Sequence, residues 1–291
     1  RIVAIGEVSD NGNHEIDAEG LVVAPGFVDV HTHFDAQVFW DTTLSPSPLH
    51  GVTTVISGNC GFTIAPLEPE HGDYMMRMLA RVEGMPLASL QQGVPWNWRT
   101  FGEYLDAIDG SLMPNAGFLV GHSALRRTVM GERSVGEFAS DDELTAMKEL
   151  LAESIAAGGL GFSSSWAKTH NDAAGDAVPS RHASETELVE LCSVLKDTAA
   201  VALEFIPTIE RFDDEVYQLL TDMSVAADRP LNWNVIFANA PHAVPHQDNN
   251  RPRQQWTSTT APATTPARTH RDRTALNAVV SVAVAASCFD A

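Results

Sequence analysis

Ala24-Pro-Gly-Phe-Val-Asp-Val-His-Thr-His33 sets the frame for the whole chain. Pro25 and Gly26 interrupt what precedes them, and Phe27 to Val30 is a short apolar run of the kind that forms a parallel strand buried on both faces. Residues two apart on a strand point the same way, so His31 and His33, at its C-terminal end, aim two imidazoles in one direction. Two convergent imidazoles suit zinc.

Similar apolar runs recur at Val52 to Ser57, Gly117 to Val120, Gly159 to Ser163, Ala200 to Ile206 and Leu231 to Phe237. Helical segments separate them. Ser140-Asp-Asp-Glu143 before Leu144, Met147, Leu150 and Leu151 is a capping box followed by an apolar face at helical spacing, and Ser184-Glu-Thr-Glu187 before Leu188, Leu191 and Leu195 repeats it. Asp213 to Met223 is a third helix. Strands alternating with helices predict an α/β fold, a TIM (β/α) barrel of which about six βα units can be counted; the full eight take about 250 residues.

The flanks differ from this pattern. Residues 1–23 carry two β-type runs, Ile2 to Ile5 and Leu21 to Val23, around the turn Asp10-Asn-Gly-Asn13, and are expected to form a small β element. Residues 24–240 hold the incomplete barrel. In 241–291 the composition breaks: Pro241 to Arg273 is rich in Pro, Thr, Gln and Asn, with five Arg against two Asp, and predicts a disordered tail. The break also predicts that the authentic reading frame ends near Ala240.

Composition narrows the function classes. The 291 residues carry 18 Lys and Arg against 38 Asp and Glu, a formal charge of −20, which repels phosphate backbones and anionic lipid surfaces. Neither nucleic acid nor a membrane is the expected partner. Cys60, Cys192 and Cys288 are too few and too scattered for a disulfide framework, so a reducing compartment, the cytoplasm by default, is expected.

The second stretch with chemistry in it is Gly51-Val-Thr-Thr-Val-Ile-Ser-Gly-Asn-Cys-Gly61. It places Cys60 just beyond the second strand, between Gly58 and Gly61, which permit the tight backbone that turns a thiol toward the same mouth as the imidazoles. A thiolate binds zinc at roughly 2.3 Å. The bland reading is a small buried hydrophobe.

These two stretches, followed by Val120-Gly-His-Ser-Ala-Leu-Arg126 and Gly159-Leu-Gly-Phe-Ser-Ser164, resemble the amidohydrolase superfamily, and within it the D-aminoacylase (N-acyl-D-amino-acid deacylase) branch, over residues 1 to 240. The resemblance implies a distorted TIM barrel with a small β-sandwich, residues 1–23 being its N-terminal part. It implies zinc, one or two ions, held by His31, His33 and Cys60. The strand-four lysine of many relatives is missing: Gly159 to Ser165 has none, and Lys168 lies beyond. Histidine ligands from strands five and six are missing too; Glu204 is left as an oxygen ligand and Asn232 or Asn234 as a neutral one. The strand-eight aspartate that serves relatives as general base has no counterpart, a loss of about 10²- to 10⁴-fold in rate.

For the substrate pocket the strand ends and loops offer His122, Ser123, Ser163, His170, Arg181, His182 and Asn234; the resemblance implies that Arg181 and His182, which lie where relatives hold the substrate carboxylate, take that role. Met75, Met76, Met78 and Leu79, with Trp96 and Trp98, read as a core-forming insert or, more sharply, as a lid. The implied reaction is zinc-assisted hydrolysis of a linear amide, releasing a D-amino acid and a carboxylate from a small N-acyl precursor. The alternatives are an inactive truncated remnant and a metal-free binding or assembly subunit; oligomeric state stays open.

Overall fold

The computed structural model describes residues 4–6, 12–210 and 212–234. Its strands are β1 (Phe27–Asp29), β2 (Val52–Ser57), β3 (Asn115–Phe118), β4 (Val120–Gly121), β5 (Gly161–Ser165), β6 (Ala202–Ile206) and β7 (Leu231–Trp233), all paired in parallel. They form two sheets, β1-β2-β3 and β4-β5-β6-β7. Only Leu119 separates β3 from β4. Its N–H donates to Ser57 O at 2.9 Å, and Leu160 N–H reaches Phe118 O at 2.8 Å, so residues 115–121 bridge one sheet to the other. Strand order follows chain order throughout, as expected when each strand is returned by a helix to the next position.

The helices are α1 (Gly72–Val82), α2 (Leu87–Gly93), α3 (Phe101–Ile108), α4 (His122–Met130), α5 (Asp141–Ala156), α6 (Glu185–Ser193) and α7 (Asp214–Ala227). Capping explains several starts. Thr100 and Glu103 close a full box on α3, Ser140 and Glu143 on α5, and the Asp213 carboxylate accepts from Val216 N–H on α7. On α6 the expected box is half formed: Ser184 accepts from Glu187 N–H, but the Glu187 carboxylate goes into the core instead of back to the cap. None of the described helices is long and apolar enough to cross a membrane.

Parallel strands carry helices on their outer face, so side chains of both parities are covered. All five residues of β5 are buried, including Ser163, Ser164 and Ser165. The insert between β2 and β3 joins the core: Met75, Met78 and Leu79 of α1 are buried, and the buried Trp98 donates its indole N–H to Ile64 O at 2.8 Å.

Two expectations change at the N-terminal end and at the strand borders. Leu21 to Val23 forms no strand and lies exposed; no described segment offers it a pairing partner, without which a short β run has no hydrogen-bonded ladder. The expected strand at Gly159 to Ser163 is shifted two residues onward, which draws the serines inside the sheet. The expected tail 241–291, and Val235 to Phe237 of the last predicted strand, lie outside the described residues.

Candidate metal centre

His31 and His33 follow β1, as the alternation requires, and Cys60 sits on the turn after β2. That turn is tightly wound: Gly58, Cys60 and Gly61 have φ of 77°, 59° and 77°. Only glycine takes this conformation freely, so Cys60 is held there at a cost of about 1–3 kcal/mol by its surroundings. Four hydrogen bonds pin the turn. Gly58 N–H donates to Asp35 Oδ2 at 3.1 Å, Cys60 N–H to Glu204 Oε2 at 2.9 Å and Gly61 N–H to Ser163 Oγ at 3.0 Å, while the Ser163 hydroxyl donates to Gly58 O.

The result is convergence of three donors from distant parts of the chain. Cys60 Sγ lies 3.3 Å from His31 Nε2 and 3.7 Å from His33 Nε2. One donor atom from each residue lies within 4.8 Å of both others, the only such trio of His, Cys, Asp or Glu among the described residues. Zinc bonds of about 2.3 Å to sulfur and 2.0–2.1 Å to nitrogen at a tetrahedral angle put sulfur and nitrogen about 3.5 Å apart. The two sulfur–nitrogen separations straddle that value, and one sulfur with two ring nitrogens is a donor set that suits zinc.

Electrostatics favour the same reading. Burial lowers the His31 pKa to about 3, helped by the neighbouring His33, and burial lowers His33 to about 4. Both rings are therefore neutral, the form that ligates. Burial, with nearby acids, pushes the Cys60 thiol well above its ordinary value, so a cation is what would take its proton's place. Buried polar atoms normally find a partner; His33 Nδ1 is buried with none.

Glu204 and Asn234 complete the surroundings. Asn234 Nδ2 donates to Glu204 Oε1 at 2.6 Å and lies 3.1 Å from His31 Nδ1. Asn232, beside Glu204 in the sheet register, makes no such contact. Glu204 is outside the trio that can share an ion: its two oxygens are engaged by Cys60 and Asn234, and burial raises its pKa to about 8.

The pocket residues fare differently. His122, Ser123 and Ser163 are fully buried, with their polar atoms engaged inside the protein. His122 Nδ1 pairs with Ser164 Oγ at 2.8 Å and its Nε2 with Glu187 Oε1 at 2.7 Å; Ser123 Oγ accepts from Ser180 N–H at 3.3 Å. His122 and Ser123 were expected on a loop, but the first turn of α4 begins directly at the end of β4 and turns them inward. Arg181 Nη1 donates to His170 O at 3.1 Å and Asn171 Oδ1 at 2.7 Å, and His182 Nε2 meets Ala177 O at 3.2 Å, so both brace their own loop.

Sequence reasoning missed Asp35 and Glu83. Asp35 is buried under the Cys60 turn, and burial raises it to about 7; burial raises Glu83 to about 8, with its Oε2 3.6 Å from His33 Nε2. Asp35 was within reach of inspection, two residues past His33, but Glu83 follows α1 and only the packing of that insert brings it in.

Residues 14–285 match the amidohydrolase family. The chain belongs to that family. Among its amidohydrolase relatives, a D-aminoacylase from Alcaligenes xylosoxydans xylosoxydans is 36% identical over 197 residues, 67% of this chain and 36% of its own length. An N-acyl-D-aspartate deacylase from the same organism is 35% identical over 244 residues, 82% of this chain and 43% of its own. A solved structure of a D-aminoacylase, described for a binuclear metal centre with one-metal activation and second-metal attenuation, matches with a TM-score of 0.60 and 27% identity, over 81% of this chain and 45% of that one. These place the chain in the D-aminoacylase branch of the amidohydrolases. It spans less than half the length of each of these relatives.

Proposed function

We propose that this chain carries the metal centre of a zinc-dependent hydrolase that releases a D-amino acid and a carboxylate from a small N-acyl-D-amino acid. The convergence of His31, His33 and Cys60 supports this reading most directly. Bound there, zinc supplies Lewis acidity that makes water acidic near neutral pH and polarises an acyl carbonyl. His31 and His33 enter the site as neutral imidazoles, and Cys60 gives up its thiol proton to join them. Asp35, Ser163 and Glu204 hold the Cys60 turn so that sulfur stays aimed at both rings.

In this reading the ordered parallel strands are the larger part of a (β/α) barrel, with the site at the C-terminal strand ends, where such barrels place chemistry. The contact of Asn234 with His31, 203 residues apart, supports it, since the end of the last described strand has curled round to the first. A reducing, cytoplasmic setting belongs to the proposal, because the ligand role needs a free thiol.

The test is metal content and turnover of the purified protein. Deacylation of N-acetyl-D-amino acids should disappear with a chelator and return with zinc, and Cys60→Ala should lose its metal. Unchanged metal in that variant removes the ligand assignment. Equal turnover of the L-enantiomers removes the D-aminoacylase assignment.

A further inference from the structure

We infer that His170 is a substrate-binding residue, an imidazole whose Nε2–H donates to the carboxylate of the N-acyl amino acid. The inference rests on the proposed function and deepens it by naming what holds the other end of the substrate.

His170 follows β5 on a loop that is fixed at its backbone. Its N–H donates to Ala167 O at 3.0 Å, and its carbonyl oxygen accepts from Val178 N–H at 3.3 Å and from Arg181 Nη1 at 3.1 Å. The imidazole stands edge-on to the ring of Phe62, with centroids 4.9 Å apart, and Phe62 in turn lies 6.3 Å from the ring of His33. One aromatic ring thus separates His170 from the metal donors, and it is not part of the trio that can share an ion. Such a place suits a group that serves the far end of a small substrate.

Hydrogen bonds fix the tautomer. The buried Ser165 Oγ accepts from Ala167 N–H at 3.1 Å and lies 2.8 Å from His170 Nδ1. A backbone N–H can only donate, so among the described residues the hydroxyl's own proton has Nδ1 as its one acceptor. Were Nδ1 protonated, that hydroxyl would be buried with nowhere to donate, at a cost of about 1–3 kcal/mol. Nδ1 therefore accepts, and the proton of the neutral ring sits on Nε2. No described group accepts that proton, and Nε2 is not sealed away from solvent. Burial, with His33, Arg181 and His31 nearby, lowers the His170 pKa to about 4, so the ring is neutral and offers a single donor.

An N-acyl amino acid presents this donor with one anionic group, a carboxylate three bonds from the acyl carbon. Arg181 was expected to take that carboxylate itself. Its Nη1 instead braces the loop, yet its charge is close enough to act on the His170 ring and favours an anion there.

Two measurements on the zinc-loaded full chain test this without turnover. Long-range ¹H–¹⁵N correlation of histidine-labelled protein, with His170 assigned from its missing signals in His170→Phe, should show the Nε2–H tautomer. Calorimetric binding of the methylphosphonamidate analogue of N-acetyl-D-alanine should weaken about 10- to 100-fold in His170→Phe, which keeps an aromatic ring against Phe62 and loses the donor. The same analogue with its carboxylate replaced by a carboxamide should lose no more than a few-fold. His170→Gln, whose amide N–H reaches about as far as Nε2, should recover most of the affinity. An Nδ1–H tautomer, unchanged affinity in His170→Phe, or equal losses for both analogues overturns the inference and leaves the proposed function standing. A zinc-loaded chain that binds neither analogue overturns both.

Discussion

Cys60 is the residue where backbone and chemistry pull against each other. Its φ of 59° suits glycine, yet glycine has no thiol. Cys60→Gly should therefore melt higher than Cys60→Ala, by about 1 kcal/mol in chemical denaturation, while both lose metal equally. At Gly58 the reverse holds. A Cβ there would lie 2.3 Å from Leu119 O and 2.9 Å from Leu119 N, both backbone atoms that cannot swing aside. Gly58→Ala should destabilise the protein by more than about 2 kcal/mol, seen as a lower melting temperature or insoluble expression.

At the scale of elements, α4, α6 and β5 are joined by one buried polar network. Arg126 of α4 donates through Nη1 to both Glu187 oxygens at 2.7 and 2.6 Å, and through Nη2 to Glu137 O at 2.7 Å; His122 bridges Glu187 to Ser164. This is why α6 has only half a capping box. Burial raises the Glu187 pKa, but His122 and Arg126 outweigh it and leave the carboxyl below its ordinary 4.5; burial lowers His122 from 6.5 despite Glu187. Both folded values are depressed, so both contributions are present above the unfolded values and lost as pH falls through the folded ones. Stability should decline below about pH 6.5 as the unfolded imidazole binds its proton first, and again below about 4.5. Glu187→Gln strands a buried guanidinium and should cost about 3–5 kcal/mol at pH 7, with a flatter acid limb in pH-dependent urea melts. An unaltered acid limb would remove Glu187 from this account.

For the whole molecule, the site ties the first strand to the last described one, His31 meeting Asn234 across 203 residues, so an ion bound there would stabilise contacts between distant parts of the chain. Binding to the folded state alone adds about 2.7 kcal/mol when free metal is 100 times the dissociation constant. Chelation should lower the melting temperature of the wild type and leave that of Cys60→Ala unmoved. A wild-type melt indifferent to chelator would count against the centre.

The parallel strands, the helices between them and the pairing of His31 with His33 were legible because each rests on short-range rules: apolar runs bounded by turns, capping signatures, and period-two alternation that puts two imidazoles on one side; Cys60 was joined to that pair through the family resemblance. Strand borders were less so, since Ser163 to Ser165 look polar in sequence and are buried only because their neighbours supply hydrogen bonds. Likewise His122 carries a group suited to a substrate, and nothing local reveals that Glu187 and Ser164 engage both of its ring nitrogens. By itself the sequence determined which residue types stand at the strand ends. Tertiary structure alone decided which of them converge and which brace the turn, because hydrogen bonds between Cys60 and Glu204, or Asn234 and His31, depend on how the sheet curls, and no local pattern encodes a pairing across 144 or 203 residues.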